Sequence, residues 1–131
     1  MSTGADRQTA AVKEALEASF SSPLYADSTV TVVVPDSTRP LYYPALEPLL
    51  KRFEQSGAQI RLLVGLGLHR PMDADELAPL RKLARSHGIP LAQHDARADN
   101  LVVIDEDAPA VVNPWITESD RVVSVGTVEP H

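Results

Sequence analysis
The chain has no cysteine. Disulfide bridges, thiolate nucleophiles and cysteine-ligated zinc or iron–sulfur centres are excluded, and a reducing cytoplasm is the expected compartment. A basic surface is missing as well: 12 Lys and Arg face 18 Asp and Glu, a formal charge of -6, with acidic residues spread from Asp6 to Glu129. Nothing in that distribution would neutralise a phosphate backbone, so nucleic acid is not an expected partner. No apolar run approaches the length of a bilayer span. The N-terminus "MSTGADRQTAAVKEALEASF" also lacks the basic and apolar regions of a signal peptide, so no membrane partner is expected. The spaced-glycine fingerprint of dinucleotide folds is absent too: "GLG" at 65–67 runs into Leu68 and His69, and no glycine–lysine–hydroxyl P-loop occurs.

What is present suffices for one core. With 131 residues, 44% of them hydrophobic, and no evident repeat, low-complexity tract or linker, residues 1–131 are expected to form a single α/β domain. "DRQTAAVKEALEASF" carries Ala11, Ala15, Leu16 and Ala18 among charged residues, an amphipathic helix closing by Pro23. "STVTVVVP" is β-branched and bounded by Asp27 and Pro35, the pattern of a strand buried on both faces. Leu46, Leu49, Leu50 and Phe53 recur at helical spacing up to Gly57. "AQIRLLVGLG" is a second buried strand. Asp73 and Glu76 then stand at capping-box spacing before a helix carrying Leu77, Leu80 and Leu83 and ending at Gly88. "IPLAQHD", "LVVID" and "RVVSVGTVE" are expected as further short strands, with one helical turn in "NPWITESD". Strands alternating with helices across short connections predict an open, mostly parallel, Rossmann-like sheet with helices on both faces.

Such sheets bind ligands beyond the carboxyl ends of their strands. Two polar clusters fall there: Asp36, Ser37, Thr38 and Arg39 after the first strand, His69 and Arg70 after the second. An arginine fork can grip a carboxylate or phosphate, and an imidazole can pass a proton near neutrality. Local structural roles compete with that reading. Asp36 and Thr38 could cap the next helix, Arg39 could pair with Asp36, and His69 could be an ordinary loop residue. His87, near a helix C-terminus, is read as structural. His94 and Asp95 end another strand and are weaker candidates for a ligand contact.

The ordered set "DSTRP", "GLHRPMDADEL", "HD" and "VVNPWITESDRVVSVGTVEPH" resembles the N-terminal domain of the nickel-pincer lactate racemase family over most of the chain. The family's motifs are D-x-T-R-P, G-x-H-R with downstream acidic residues, H-D, and an asparagine and aspartate ahead of G-x-x-x-P-H, in that order. "AVKEALEASFSSPLY" likewise resembles the helix and proline-containing turn before the first strand of the family's site. The resemblance implies racemisation or epimerisation of 2-hydroxy acids. A nickel-pincer nucleotide takes hydride from the α-carbon, and two histidines exchange the hydroxyl proton. By motif position His69 and His131 are the acid/base residues, Arg39 holds an anionic group of substrate or cofactor with help from Asp36 and Thr38, and Arg70 lies beside His69. No metal ligand is assigned.

In the family, P-H continues into S-G-G-x-K, whose lysine tethers the cofactor, and a later histidine ligates nickel. The lysines of this sequence are Lys13, Lys51 and Lys82, none in that setting, and the span between "HD" and "VVN" is compressed. The expectation is therefore an N-terminal catalytic half of a 2-hydroxy acid racemase, inactive alone. Its ligand would be a 2-hydroxy acid or other anion, a separate C-terminal domain chain is a candidate partner, and the cofactor would not be tethered by this chain. The alternative is a stand-alone anion or hydroxy-acid binding module without catalysis. A degenerate remnant with neither property is the third expectation.

Overall fold
A computed structural model of the chain describes residues 3–19, 26–41, 43–127 and 130. Helix α1 (Gly4–Ser19) opens on a reciprocal cap: the Asp6 N–H donates to the Thr3 hydroxyl at 3.1 Å and the Thr3 N–H to the Asp6 carboxylate at 3.1 Å. Those bonds, the backbone one foremost, hold the Asp6 carboxyl below its ordinary range. The chain then alternates as expected: β1 (Thr29–Pro35), α2 (Tyr43–Gln55), β2 (Gln59–Gly65), α3 (Ala74–His87) and β3 (Leu91–Gln93). After these come β4 (Val102–Asp105), β5 (Ala110–Val112), α4 (Pro114–Glu118) and β6 (Arg121–Ser124).

Four strands form one parallel sheet in the order β3-β2-β1-β6. Strand side chains alternate between faces, and in β1 the alternation separates two environments. Val30, Val32 and Val34, with Ile60, Leu62 and Val64 of β2, join the core built by Phe53 of α2 and Leu80 of α3. Thr31 is equally buried but belongs to the other face. Its hydroxyl meets Ser119 Oγ at 2.5 Å and the Trp115 carbonyl at 3.3 Å. Helix α4 thus crosses the face opposite α2 and α3, and Arg61 of β2 secures it by stacking on Trp115 at 5.3 Å and pairing with Glu118 at 3.2 Å. Helices flank both faces, as the alternation predicts. Helix α1 packs outside α2. No described helix is long and apolar enough to cross a membrane.

Two expectations need correction. "LVVID" does not extend the sheet: β4 pairs antiparallel with β5 in a separate two-stranded ribbon. Val103, Ile104 and Val111 of that ribbon are at least half exposed. A short aliphatic run has no period that tells a core strand from an exposed hairpin. The chain also carries a repeat, at a spacing of 31 residues. Arg39-Pro40 answers to Arg70-Pro71, Pro48-Leu49 to Pro79-Leu80, and Gly57 to Gly88, so the β1-α2 and β2-α3 units repeat one plan. Both glycines take the left-handed conformation, φ 84° and 63°.

The crossovers step from β1 to β3 in one direction, and the chain then returns to the far side of β1 as β6. The winding reverses beside β1, and in open α/β sheets the crevice at that point, outside the carboxyl ends of the strands, receives ligands.

Candidate functional site
Strands β1 and β2 end level with one another, Pro35 opposite Gly65, and each is followed by a tight turn. The Arg39 N–H donates to the Asp36 carbonyl at 3.2 Å, and the His69 N–H to the Leu66 carbonyl at 2.9 Å. The second turn needs Gly67, whose φ of 56° an L side chain tolerates poorly. Side by side, the turns bring the two polar clusters together. The His69 Nδ1 lies 2.7 Å from Asp36 Oδ2. The other carboxylate oxygen, Oδ1, accepts from the Thr38 hydroxyl at 2.5 Å and the Thr38 N–H at 3.1 Å.

Asp36 is buried, whereas 58% of the His69 side chain is exposed. Burial pushes the Asp36 carboxyl up and is the largest single influence. The Thr38 hydroxyl, His69 and the Thr38 amide together outweigh it and hold the group below its ordinary range. An ionised carboxylate at hydrogen-bond distance requires a proton on Nδ1, which leaves Nε2 of a neutral ring as the basic nitrogen.

The helix-cap and Arg39–Asp36 pairing alternatives are not realised. Asp36 closes its own turn rather than capping α2. The Arg39 side chain is exposed, without a side-chain partner among the described residues. It borders a hollow of about 180 Å³ with Asp36, Tyr43, Met72 and Glu76. Arg70 lies beside His69, but its guanidinium is engaged: Nη1 donates to Glu76 Oε1 at 2.6 Å and to the Pro71 carbonyl at 3.0 Å.

Glu76 also accepts from the Ser37 hydroxyl and from the Asp73 N–H at 3.2 Å, while the Glu76 N–H donates to Asp73 at 2.8 Å. The expected capping box of α3 is therefore also a strut joining both site loops. Arg70 first, then Ser37 and the Asp73 amide, bring the Glu76 carboxyl down to about 2. Gln93 is a second strut that sequence reading missed. Its side chain accepts from the Met72 N–H at 2.7 Å and donates to the Met72 carbonyl at 3.2 Å.

The H-D pair joins the same end of the sheet. The His94 N–H donates to the Val64 carbonyl at 2.9 Å. Residues 94–97 then form one wall of a cleft of about 420 Å³ whose other wall is residues 67–71. Arg97, which no sequence motif singled out, lines it. Asn113 and Asp120 do not reach this site. Asn113 caps α4, accepting from the Trp115 N–H at 2.9 Å, and Asp120 accepts from the Thr29 N–H at 2.8 Å, at the amino end of β1. His87, half-buried at the end of α3, meets Glu54 at 2.5 Å, matching its structural reading. His131 lies outside the described residues. The Thr127 hydroxyl, four positions before it, donates to the Pro40 carbonyl at 3.1 Å, within reach of the Arg39 loop.

Residues 2–131 match the model of the family described as the lactate racemase N-terminal domain. The chain belongs to this family. It is 26% identical to a lactate racemase of Lactiplantibacillus plantarum over 135 residues, which cover 91% of this chain and 32% of that protein. Its fold matches the lactate racemase apoprotein from Thermoanaerobacterium thermosaccharolyticum with a TM-score of 0.80 and 23% identity, over 95% of this chain and 33% of the other. The chain thus spans about one third of the length of these relatives. Within the lactate racemase N-terminal domain family, this chain has its candidate groups at the carboxyl edge of β1, β2 and β3.

Proposed function
We propose that the chain supplies the His69-bearing half of a site that racemises or epimerises a 2-hydroxy acid, the remaining groups lying outside these 131 residues. The observation that carries this reading is the Asp36–His69 bond at the ends of adjacent parallel strands. Asp36 fixes the ring and its tautomer. Nε2 then takes the substrate hydroxyl proton, the imidazolium so formed is stabilised by Asp36, and the same nitrogen returns the proton on reversal. Thr38 keeps the carboxylate oriented, and Arg39, without a side-chain partner among the described residues, offers a cation at the edge of the site for an anionic group. His131 is assigned the matching proton exchange on the other face of the substrate carbon by its motif position alone.

The nickel-pincer nucleotide implied by the family would supply hydride acceptance at the α-carbon. The described residues do not fit it by themselves. They contain no cluster of three His, Asp or Glu able to hold a metal, and no lysine lines the cleft beside His69. Lys13 and Lys51 border a separate groove between α1 and α2. The same observation favours a second reading, a hydroxy-acid or anion-binding module without catalysis.

Titration of the isotopically labelled chain with L-lactate, followed by NMR, tests both. Shifts confined to residues 36–39, 67–71 and 94–97, weakened by Asp36→Asn and His69→Gln, are the expected result. No response at tens of millimolar would dismiss both readings.

A further inference from the structure
Three arginines stand at the carboxyl edge of the sheet, and their surroundings differ. Arg70 is held by Glu76 and the Pro71 carbonyl. Releasing it would strand a carboxylate that also closes the α3 cap and ties down Ser37. Arg39 borders the smaller hollow, next to the carboxylates of Asp36 and Glu76. Arg97 is exposed, lines the 420 Å³ cleft shared with His69 and His94, and has no side-chain partner among the described residues.

Its backbone is nevertheless fixed: the Arg97 N–H donates to Asp95 Oδ1 at 2.9 Å, and the Ala98 N–H to the Asp95 carbonyl at 3.1 Å. Asp95 of the same turn thus accepts from its own loop through Oδ1. A guanidinium without a side-chain partner among the described residues, on a fixed turn that lines the same cleft as an imidazole, is available to grip an oxyanion.

We infer that Arg97 is the oxyanion-binding residue of this cleft, taking a carboxylate or phosphate group, and that Arg70 is a structural strut. This rests on the reading that the cleft takes an anion and deepens it by naming the residue. In a 2-hydroxy acid the hydroxyl-bearing carbon is bonded directly to the carboxylate. Anchoring the carboxylate on the 94–97 wall leaves the hydroxyl for His69 on the facing wall.

The test compares the wild-type 131-residue chain with Arg97→Gln, Arg97→Lys, Arg70→Gln and Arg39→Gln. Each is titrated separately with L-lactate and with inorganic phosphate and read by amide chemical shifts. Losing a charge-assisted fork weakens binding about tenfold or more. Arg97→Gln is expected to show that loss, Arg97→Lys a partial one, and Arg70→Gln a change within about twofold. The anion bound more tightly by wild type identifies the source, a substrate carboxylate or a phosphate.

Because Arg97 is an exposed loop residue, signals away from the cleft should not move in its variants. If Arg97→Gln stays within about twofold for both anions while Arg39→Gln or Arg70→Gln loses binding, this inference is wrong and the proposed function stands. If wild type responds to neither anion, the proposed function fails and this inference with it.

Discussion
His69 and Asp36 are 33 positions apart in the chain, yet Nδ1 of one lies 2.7 Å from Oδ2 of the other. The contact exists because β1 and β2 run parallel with Pro35 opposite Gly65, so that successive turns open at the same edge. One member is buried and the other mostly exposed: the carboxylate anchors, and the imidazole meets solvent at the carboxyl edge of the sheet.

Replacing Asp36 with alanine removes the acceptor of three hydrogen bonds. Its donors, Thr38 and His69, are exposed and can turn to water, so the expected loss of stability is modest, about 1–2 kcal/mol. Urea denaturation reads the stability, and ring-nitrogen chemical shifts of His69 read the lost orientation. A variant as stable as wild type with unchanged His69 signals would show that the bond carries neither role.

Stability should fall on the acid side. Asp36 is held below its ordinary 3.8, and Glu76 is brought from 4.5 to about 2. A carboxyl depressed in the folded state contributes fully above its unfolded value, and that contribution disappears as pH drops through the folded value. The urea midpoint is therefore expected to be level down to about pH 5 and to decline towards pH 2. Glu76→Gln should flatten the lower part of that decline, leaving the slope from Asp36 and the capping Asp6. An identical acid profile in the Gln variant would contradict the strut assigned to Glu76.

Gly67 presents His69 from a left-handed turn, with open space where a side chain would project. Gly67→Ala should therefore cost conformational energy and no clash, about 1 kcal/mol. His69 amide and ring signals are expected to move with it. A neutral effect on both would mean that the turn adjusts without strain.

Incubated alone with L-lactate, nickel and the pincer cofactor, the chain is expected to form no D-lactate. Proton exchange at His69 does not replace hydride chemistry, and no described lysine stands at the cleft to hold the cofactor covalently. Chiral chromatography decides the matter. D-lactate appearing in a His69-dependent manner from the chain alone would reverse the assignment of this chain as one half of a site.

Local chemistry made much of this molecule legible from its sequence. The β-branched run of β1, the leucines of α2 at helical spacing and the Asp73–Glu76 cap of α3 each follow from interactions within a few residues, and each element formed where its pattern lies. The parallel sheet followed in turn, because strands separated by helices have few other ways to pair. The motif order was enough to indicate the family.

What only the tertiary structure decided was which polar groups are spent on each other. "HRP" and "DADEL" look alike as charges on a line, but folding closes Glu76 onto Arg70 and Ser37 and leaves Arg97 without a side-chain partner among the described residues. "LVVID" has the composition of a core strand, yet it pairs with β5 and keeps an exposed face. Asp120, in motif position beside a site, closes the opposite end of β1. Pairing between distant segments is set by sheet register and crossover geometry. Those are properties of the assembled chain, so charge and hydropathy along the sequence cannot say which residue remains free to meet a ligand.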